Sequence, residues 1–319
     1  MFAKTEIVCY TICEEIDMSI AKTIFKGIDV IFDFPQNKSR KNAYKGVDFV
    51  VEKDVPYFDN DDCRLDTCYL EKADGKYPVM FYIHGGGFVA GDKHHRRAVS
   101  EWYAVQGFFV VNVNYGICPA QKFPAPLQHL VYALNWVGEN ADKYNLDLDK
   151  IVVAGDSAGA YYSTALISVA ESKALQDKIG VTTDLHFAGA YLNCGIYDII
   201  SALNAKLPLN MGAVILKDFA SIDKKDIDTY EYLDLCVTVN LVNEKFPQTF
   251  VTYAEKDVFC KGQSEKFISV LKEKGIEVEE YRSTKFTSNH CFSLNWKGKD
   301  AVTNNALVEK FLEKIVKGE

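Results

Sequence analysis

With 319 residues, 48% of them hydrophobic and 25% charged, the chain can bury a sizeable core and has the composition of an ordinary globular protein. Its formal net charge of -8 argues against nucleic acid or an anionic membrane surface as a partner, because both recruit excess Lys and Arg. The opening MFAKTEIVCYTICEEIDMSIAKTIFK is interrupted by charges every few residues, unlike a signal peptide or a membrane span, so a cytoplasmic location is expected.

The first 45 residues read as helical and mixed, ending in the Lys-rich QNKSRKNAYK. From Tyr77 onward, short apolar runs alternate with longer helical patterns. The strands are expected at 78–83, 108–115, 150–155, 187–193, 248–253 and 278–283. Helices are expected around 97–106, 125–142, 158–175 and 262–274, with a last one near 300–317. Continuous apolar strands separated by helices indicate a mostly parallel sheet flanked on both faces, the α/β class. Such sheets bind ligands beyond the carboxyl ends of their strands. Residues 1–45 and 199–246 are insertions relative to a minimal βα repeat. A cap over the strand ends and peripheral decoration both fit them.

The nine cysteines are odd in number, and the spacings Cys9/Cys13 and Cys63/Cys68 match no zinc or redox motif. They are expected to be small buried hydrophobes. No cofactor or metal is implied, and the adjacent His94 and His95 have no metal-ligand spacing and read as surface or rim residues.

The chemistry concentrates in KIVVAGDSAGAYYSTAL, residues 150–166, where a buried strand runs through Gly155-Asp156-Ser157-Ala158-Gly159 into a small-residue helix. This is G-x-S-x-G in its strand–turn–helix setting, which exposes a serine hydroxyl at a sharp bend. A serine becomes a competent nucleophile when a histidine takes its proton and an acid orients that histidine. In this strand–turn–helix class the chain order is serine, acid, histidine. His186 and His290 follow the serine; His186 opens a strand, at the wrong end of the sheet, which leaves His290. The strand at 248–253 runs into AEKDVF, offering Glu255 and Asp257 as the acid. Asp156, on the elbow itself, fits the acid's role less well.

Attack on an ester carbonyl puts negative charge on its oxygen, and backbone N–H groups must meet it. Ala158, after the serine, supplies one at a helix N-terminus, where the dipole helps. The loop YIHGGGFVAGD after the strand at 78–83 offers Gly85, Gly86 and Gly87, whose bare backbone allows close approach. His84 reads as a structural residue of that loop.

Taken together, HGGGF (84–88), VNYGICPAQKFPAPL (113–127), GDSAG (155–159), the AEKD turn and NHCF resemble the hormone-sensitive-lipase branch of the α/β-hydrolases, bacterial esterases in particular. The resemblance runs from about Val47 onward. It implies a single α/β-hydrolase domain over 1–319, with residues 1–45 and 199–246 as a helical cap. It favours Asp257 over Glu255 and so assigns the triad to Ser157, Asp257 and His290. It also places the oxyanion amides at Gly86, Gly87 and Ala158, with His84 and Gly85 supporting the loop. The departures are Ala160 and two tyrosines where a further glycine is common after GDSAG, Gly116 and Ala120 in the second motif, Cys260 or Lys261 for a second acid, and Cys291 after the histidine. They bear on pocket shape, not on the reacting groups.

The expected function is a serine carboxylesterase that hydrolyses short-chain acyl esters, sugar-type acetates among them. The expected partner is a small-molecule ester, and a homodimer is compatible with the sequence. An amide or formamide hydrolase of kynurenine-formamidase type would use the same triad. A non-catalytic receptor resembling the plant gibberellin receptors is disfavoured, since those have lost the histidine.

Overall fold

The computed structural model describes residues 43–318 except Ala73, 205–210 and Asp223, together with Thr23 and Gly27. The cap segment expected at 1–45 therefore lies, apart from Thr23, Gly27 and residues 43–45, outside the described residues.

Eight strands form one sheet: β1 (Val50–Pro56), β2 (Arg64–Tyr69), β3 (Tyr77–Ile83), β4 (Phe109–Val113), β5 (Leu146–Asp156), β6 (Gly189–Asn193), β7 (Gln248–Ala254) and β8 (Val278–Ser283). Their order across the sheet is β1-β2-β4-β3-β5-β6-β7-β8. Pairing is parallel from β4 through β3 to β8, and β2 lies antiparallel to both β1 and β4. The six strands expected from their apolar runs are all present. The antiparallel edge is interrupted by Glu52, Lys53 and Asp54 in β1 and by Arg64 and Asp66 in β2, and gives no such run.

The helices are α1 (Arg97–Ala104), α2 (Ala125–Glu139), α3 (Ala141–Tyr144), α4 (Ala158–Ala170), α5 (Lys173–Ile179), α6 (Ile199–Asn204), α7 (Met211–Ala220), α8 (Gln263–Glu273) and α9 (Lys299–Lys317). The helices expected at 125–142 and 158–175 are each split in two. The first breaks at Asn140; the second breaks at Glu171-Ser172, where the Ser172 hydroxyl caps the following piece by accepting from the Leu175 N–H.

Every residue of β3 is buried. Val79, Phe81 and Ile83 face one core, shared with α2, α4 and α8, while Met80 and Tyr82 face another, shared with α1 and α9. Successive side chains on a strand point to opposite faces, so a strand covered on both sides reads as an unbroken apolar run. At about 25 cal/mol per Å² of apolar surface, this double burial is the dominant stabilising term. It anchors the carboxyl ends of β3, β5, β7 and β8, from which the chemistry-bearing loops leave.

Candidate active site

β5 ends at Asp156 and α4 begins at Ala158, leaving Ser157 alone at the bend with φ 54° and ψ −119°. This is a costly backbone for a residue with a side chain, and it holds the hydroxyl out of the turn. The flanking glycines make the bend possible. A Cβ on Gly155 would stand 2.5 Å from the Gly159 carbonyl group, and one on Gly159 would meet the Ile83 carbonyl oxygen. The Ser157 N–H donates to the Asn193 carbonyl at 2.9 Å, tying the elbow to the end of β6.

The structure brings His290 and Asp257 to this serine. The Ser157 hydroxyl donates to His290 Nε2 at 2.9 Å, and His290 Nδ1–H donates to the Asp257 carboxylate at 2.9 and 3.1 Å. Asp257 Oδ1 also accepts the N–H groups of Phe259 and Cys260, each at 2.8 Å. Burial works against charge on both partners, yet their mutual attraction and these hydrogen bonds outweigh it. The Asp257 carboxyl is held below its ordinary value and the His290 imidazole is raised above its own. Glu255, left open by its position on the same turn, points elsewhere: it pairs with Arg282 at 3.3 Å and is 44% exposed.

The glycine loop lies against the elbow. A Cβ on Gly85 would come within 3.1 Å of Ser157 Cβ and 2.6 Å of the Asp156 carbonyl oxygen. Gly86 and Gly87 have φ of 133° and 61°, backbone conformations that glycine adopts most readily. Among the described residues, the Gly86, Gly87 and Ala158 N–H groups donate to no backbone carbonyl outside regular helices and strands. His84 is buried beneath the loop, with Nδ1 2.8 Å from the Gly85 carbonyl oxygen and its ring stacked on Tyr115.

Arg96 is the residue that sequence reasoning missed. Buried at the end of a short 3-10 turn (Lys93–Arg96), it forms a two-pronged pair with Asp156, Nε to Oδ1 at 3.0 Å and Nη2 to Oδ2 at 2.8 Å. The Tyr82 hydroxyl donates to the same carboxylate at 2.8 Å. Asp156 is thus a brace beneath the elbow and not the acid of the hydrogen-bonded line. Nothing in GDKHHRR marks which of its arginines turns inward. The neighbouring His94 is half-exposed and bonded to Asp92, and His186, the other histidine after the serine, pairs with Glu171.

Part of the 199–246 insertion packs on these loops. Phe219 of α7 stands 5.0 Å from Phe88, the residue after the glycines, and 6.0 Å from Tyr161 of α4. Phe88 also meets Tyr161 and Tyr162 edge-on at 5.3 and 5.6 Å. The two tyrosines that depart from the resembled family therefore fill this wall. Cys291, where that family has glycine, sits at φ 52°, in the left-handed region that glycine favours.

A family model described as BD-FAE matches residues 65–271. An acetyl esterase of Salmonella schwarzengrund is 25% identical over 233 residues, 64% of this chain and 65% of that protein. A protein of Acanthamoeba polyphaga mimivirus named as an alpha/beta hydrolase is 39% identical over 99 residues, 31% of this chain and 29% of its own length. The chain thus spans just under two thirds of the acetyl esterase's length and under a third of the viral relative's. Among solved structures, esterase B from Lactobacillus rhamnosis superposes with a TM-score of 0.81 at 20% identity, covering 96% of both chains. A bacterial heroin esterase gives 0.72 at 19% identity, covering 94% of this chain and 96% of its own. These neighbours share the fold described above. Among the described residues, no helix is long and apolar enough to cross a membrane.

Proposed function

The chain belongs to the BD-FAE family and has the α/β-hydrolase fold, and from that premise we propose that it is a serine carboxylic ester hydrolase. The observation that carries the reading is the unbroken line from Ser157 Oγ through His290 to Asp257 at the carboxyl ends of β5 and β7. Ser157 attacks the ester carbonyl as His290 Nε2 takes the hydroxyl proton. The Gly86, Gly87 and Ala158 N–H groups meet the oxyanion. His290 then returns the proton to the departing alcohol. A water molecule, deprotonated by the same nitrogen, attacks the acyl-enzyme and releases the acid and the free serine.

Short acyl groups, acetyl first, are the proposed substrates. The ring wall of Phe88, Tyr161, Tyr162 and Phe219 beside the elbow supports this, because it leaves aromatic packing where a long acyl chain would need room. The 199–246 segment is proposed as a cap that carries part of this wall.

Ser157→Ala and His290→Ala are each expected to lower kcat on p-nitrophenyl acetate by at least about 10⁴-fold with the melting temperature preserved. A fluorophosphonate should label the peptide 150–166. Labelling of another peptide, or full turnover in either variant, would overturn the assignment. An acetylated xyloside and N-formylkynurenine in the same assay test the sugar-ester and formamide alternatives.

A further inference from the structure

Three buried cysteines close on the His290–Asp257 pair from three directions. Cys194 follows β6, Cys260 lies in the turn after Asp257, and Cys291 follows His290. The Cys194 and Cys291 sulfurs and one ring nitrogen of His290 lie within 4.8 Å of one another. An Asp257 oxygen, the Cys260 sulfur and a His290 nitrogen form a second group within the same limit. The Cys194 thiol interacts with both Cys291 and the Asp257 carboxylate, which places it on the Nδ1 side of the imidazole. Donors of a tetrahedral zinc site, with bonds of about 2.0–2.3 Å, stand about 3.3–3.8 Å apart, a spacing inside the 4.8 Å span of the Cys194, Cys291 and His290 donors. Two thiols and an imidazole suit a thiophilic cation, whereas magnesium and calcium prefer oxygen throughout.

We propose that Cys194, Cys291 and His290 form an inhibitory site for a thiophilic d¹⁰ cation of the zinc and cadmium class. Inhibition rests on the esterase reading above; binding does not. Each thiol releases a proton to solvent as its sulfur bonds the metal, so one divalent cation replaces two protons and the local charge is unchanged. The cation takes the Nδ1 lone pair, and the proton of the neutral imidazole moves to Nε2. Nε2 then presents an N–H to Ser157 and has no lone pair for the hydroxyl proton. The serine is left in place but unactivated. The imidazole, 10% exposed, is the solvent-facing edge of the cluster.

The test uses the full chain, reduced and stripped with EDTA, titrated with cadmium chloride. Thiolate-to-cadmium absorbance in the ultraviolet should saturate at one equivalent, while p-nitrophenyl acetate turnover falls in step and returns with EDTA. Magnesium chloride should do neither. Cys194→Ser/Cys291→Ser and Cys194→Ala/Cys291→Ala, each checked by a melting curve and scored against its own metal-free rate, should lose the absorbance. The half-inhibiting concentration should rise by more than the about 10–100-fold that a change outside the ligand shell costs. X-ray absorption of the zinc-loaded parent should show two sulfur donors, a readout independent of variant folding. Absorbance or inhibition retained in the double variants, fewer than two sulfurs, or cadmium bound with turnover intact would each overturn the inhibitory site. A parent with no ester turnover would sink the functional reading, and the absorbance and sulfur count would still decide whether the metal site exists.

Discussion

Asp257 and Glu255 leave β7 two residues apart, yet only Asp257 reaches the imidazole, because its Oδ1 is tied down by two backbone N–H groups of its own turn. Asp257→Asn should therefore cost about 10⁴-fold in kcat, since the imidazole loses the partner that sets its tautomer. Glu255→Gln breaks an exposed pair with Arg282 worth about 0–1 kcal/mol, and kcat should stay unchanged. A pH profile checks the same pair from another side. Burial opposes the His290 imidazolium, but Asp257 more than compensates and raises its pKa. The base must be neutral to accept the serine proton, so the acid limb of kcat/KM should lie above the ordinary histidine value of about 6.5. In Asp257→Asn that limb should move down. For stability the sign is the opposite: the raised pKa contributes below the unfolded value, and the contribution is lost as pH rises through the folded one. Chain order and strand polarity were enough to single out His290 from sequence, but they could not separate two carboxylates on one turn.

Between elements, the elbow and the histidine loop are each held by a buried carboxylate. Arg96 and Asp156, 3% and 2% exposed at their side chains, lock the 3-10 turn before α1 to the end of β5. Arg96→Met leaves the Asp156 charge buried without its cation, and urea denaturation should show a loss of about 3–5 kcal/mol. Arg96→Lys should recover only part of this, because an ammonium cannot make the paired contact. Asp300, in the first turn of α9, accepts hydrogen bonds from Ser283, Ser288 and Tyr281 and pairs with Lys285, so it spans the loop that ends at His290. Burial pushes the Asp300 carboxyl up, but Lys285 and the two serines bring it down to about 2. Its contribution is fully present above the unfolded value of about 3.9 and is lost as pH falls through about 2. Asp300→Asn should accordingly flatten the fall in stability over that interval in acid-denaturation curves. Neither brace was legible in the sequence, because a charged side chain next to an apolar strand reads as solvated until another element covers it.

At the scale of the molecule, the two-faced sheet presents the ends of β3, β5, β7 and β8 on one edge, and Phe219, from the described part of the 199–246 insertion, packs against Phe88 and Tyr161 there. Turnover should peak with acetate or butyrate esters and fall by octanoate. Phe219→Ala should lose about 3–5 kcal/mol of stability and extend the range toward longer chains. Equal turnover across the series in the parent would mean that the aromatic wall does not limit the acyl chain. The described part of the insertion has no strand periodicity and several short 3-10 turns, so its placement follows from the surface beneath it.

The sequence by itself determined the six parallel strands, the serine elbow, the glycine loop and the histidine. Each of these is a local requirement: an unbroken apolar run for a doubly covered strand, glycines where a Cβ would strike backbone, a serine at the bend. Only the tertiary structure decided which carboxylate meets His290, that Arg96 turns inward beneath Asp156, and that Cys194, Cys260 and Cys291 converge on one imidazole. Those groups come from segments distant along the chain, and their partners are set by how elements pack, which no local spacing encodes. The glycine loop shows the same division. Its composition announced a need for bare backbone, while the positive φ of Gly86 and Gly87 and the approach of Gly85 to Ser157 emerged only once β3 and β5 lay side by side.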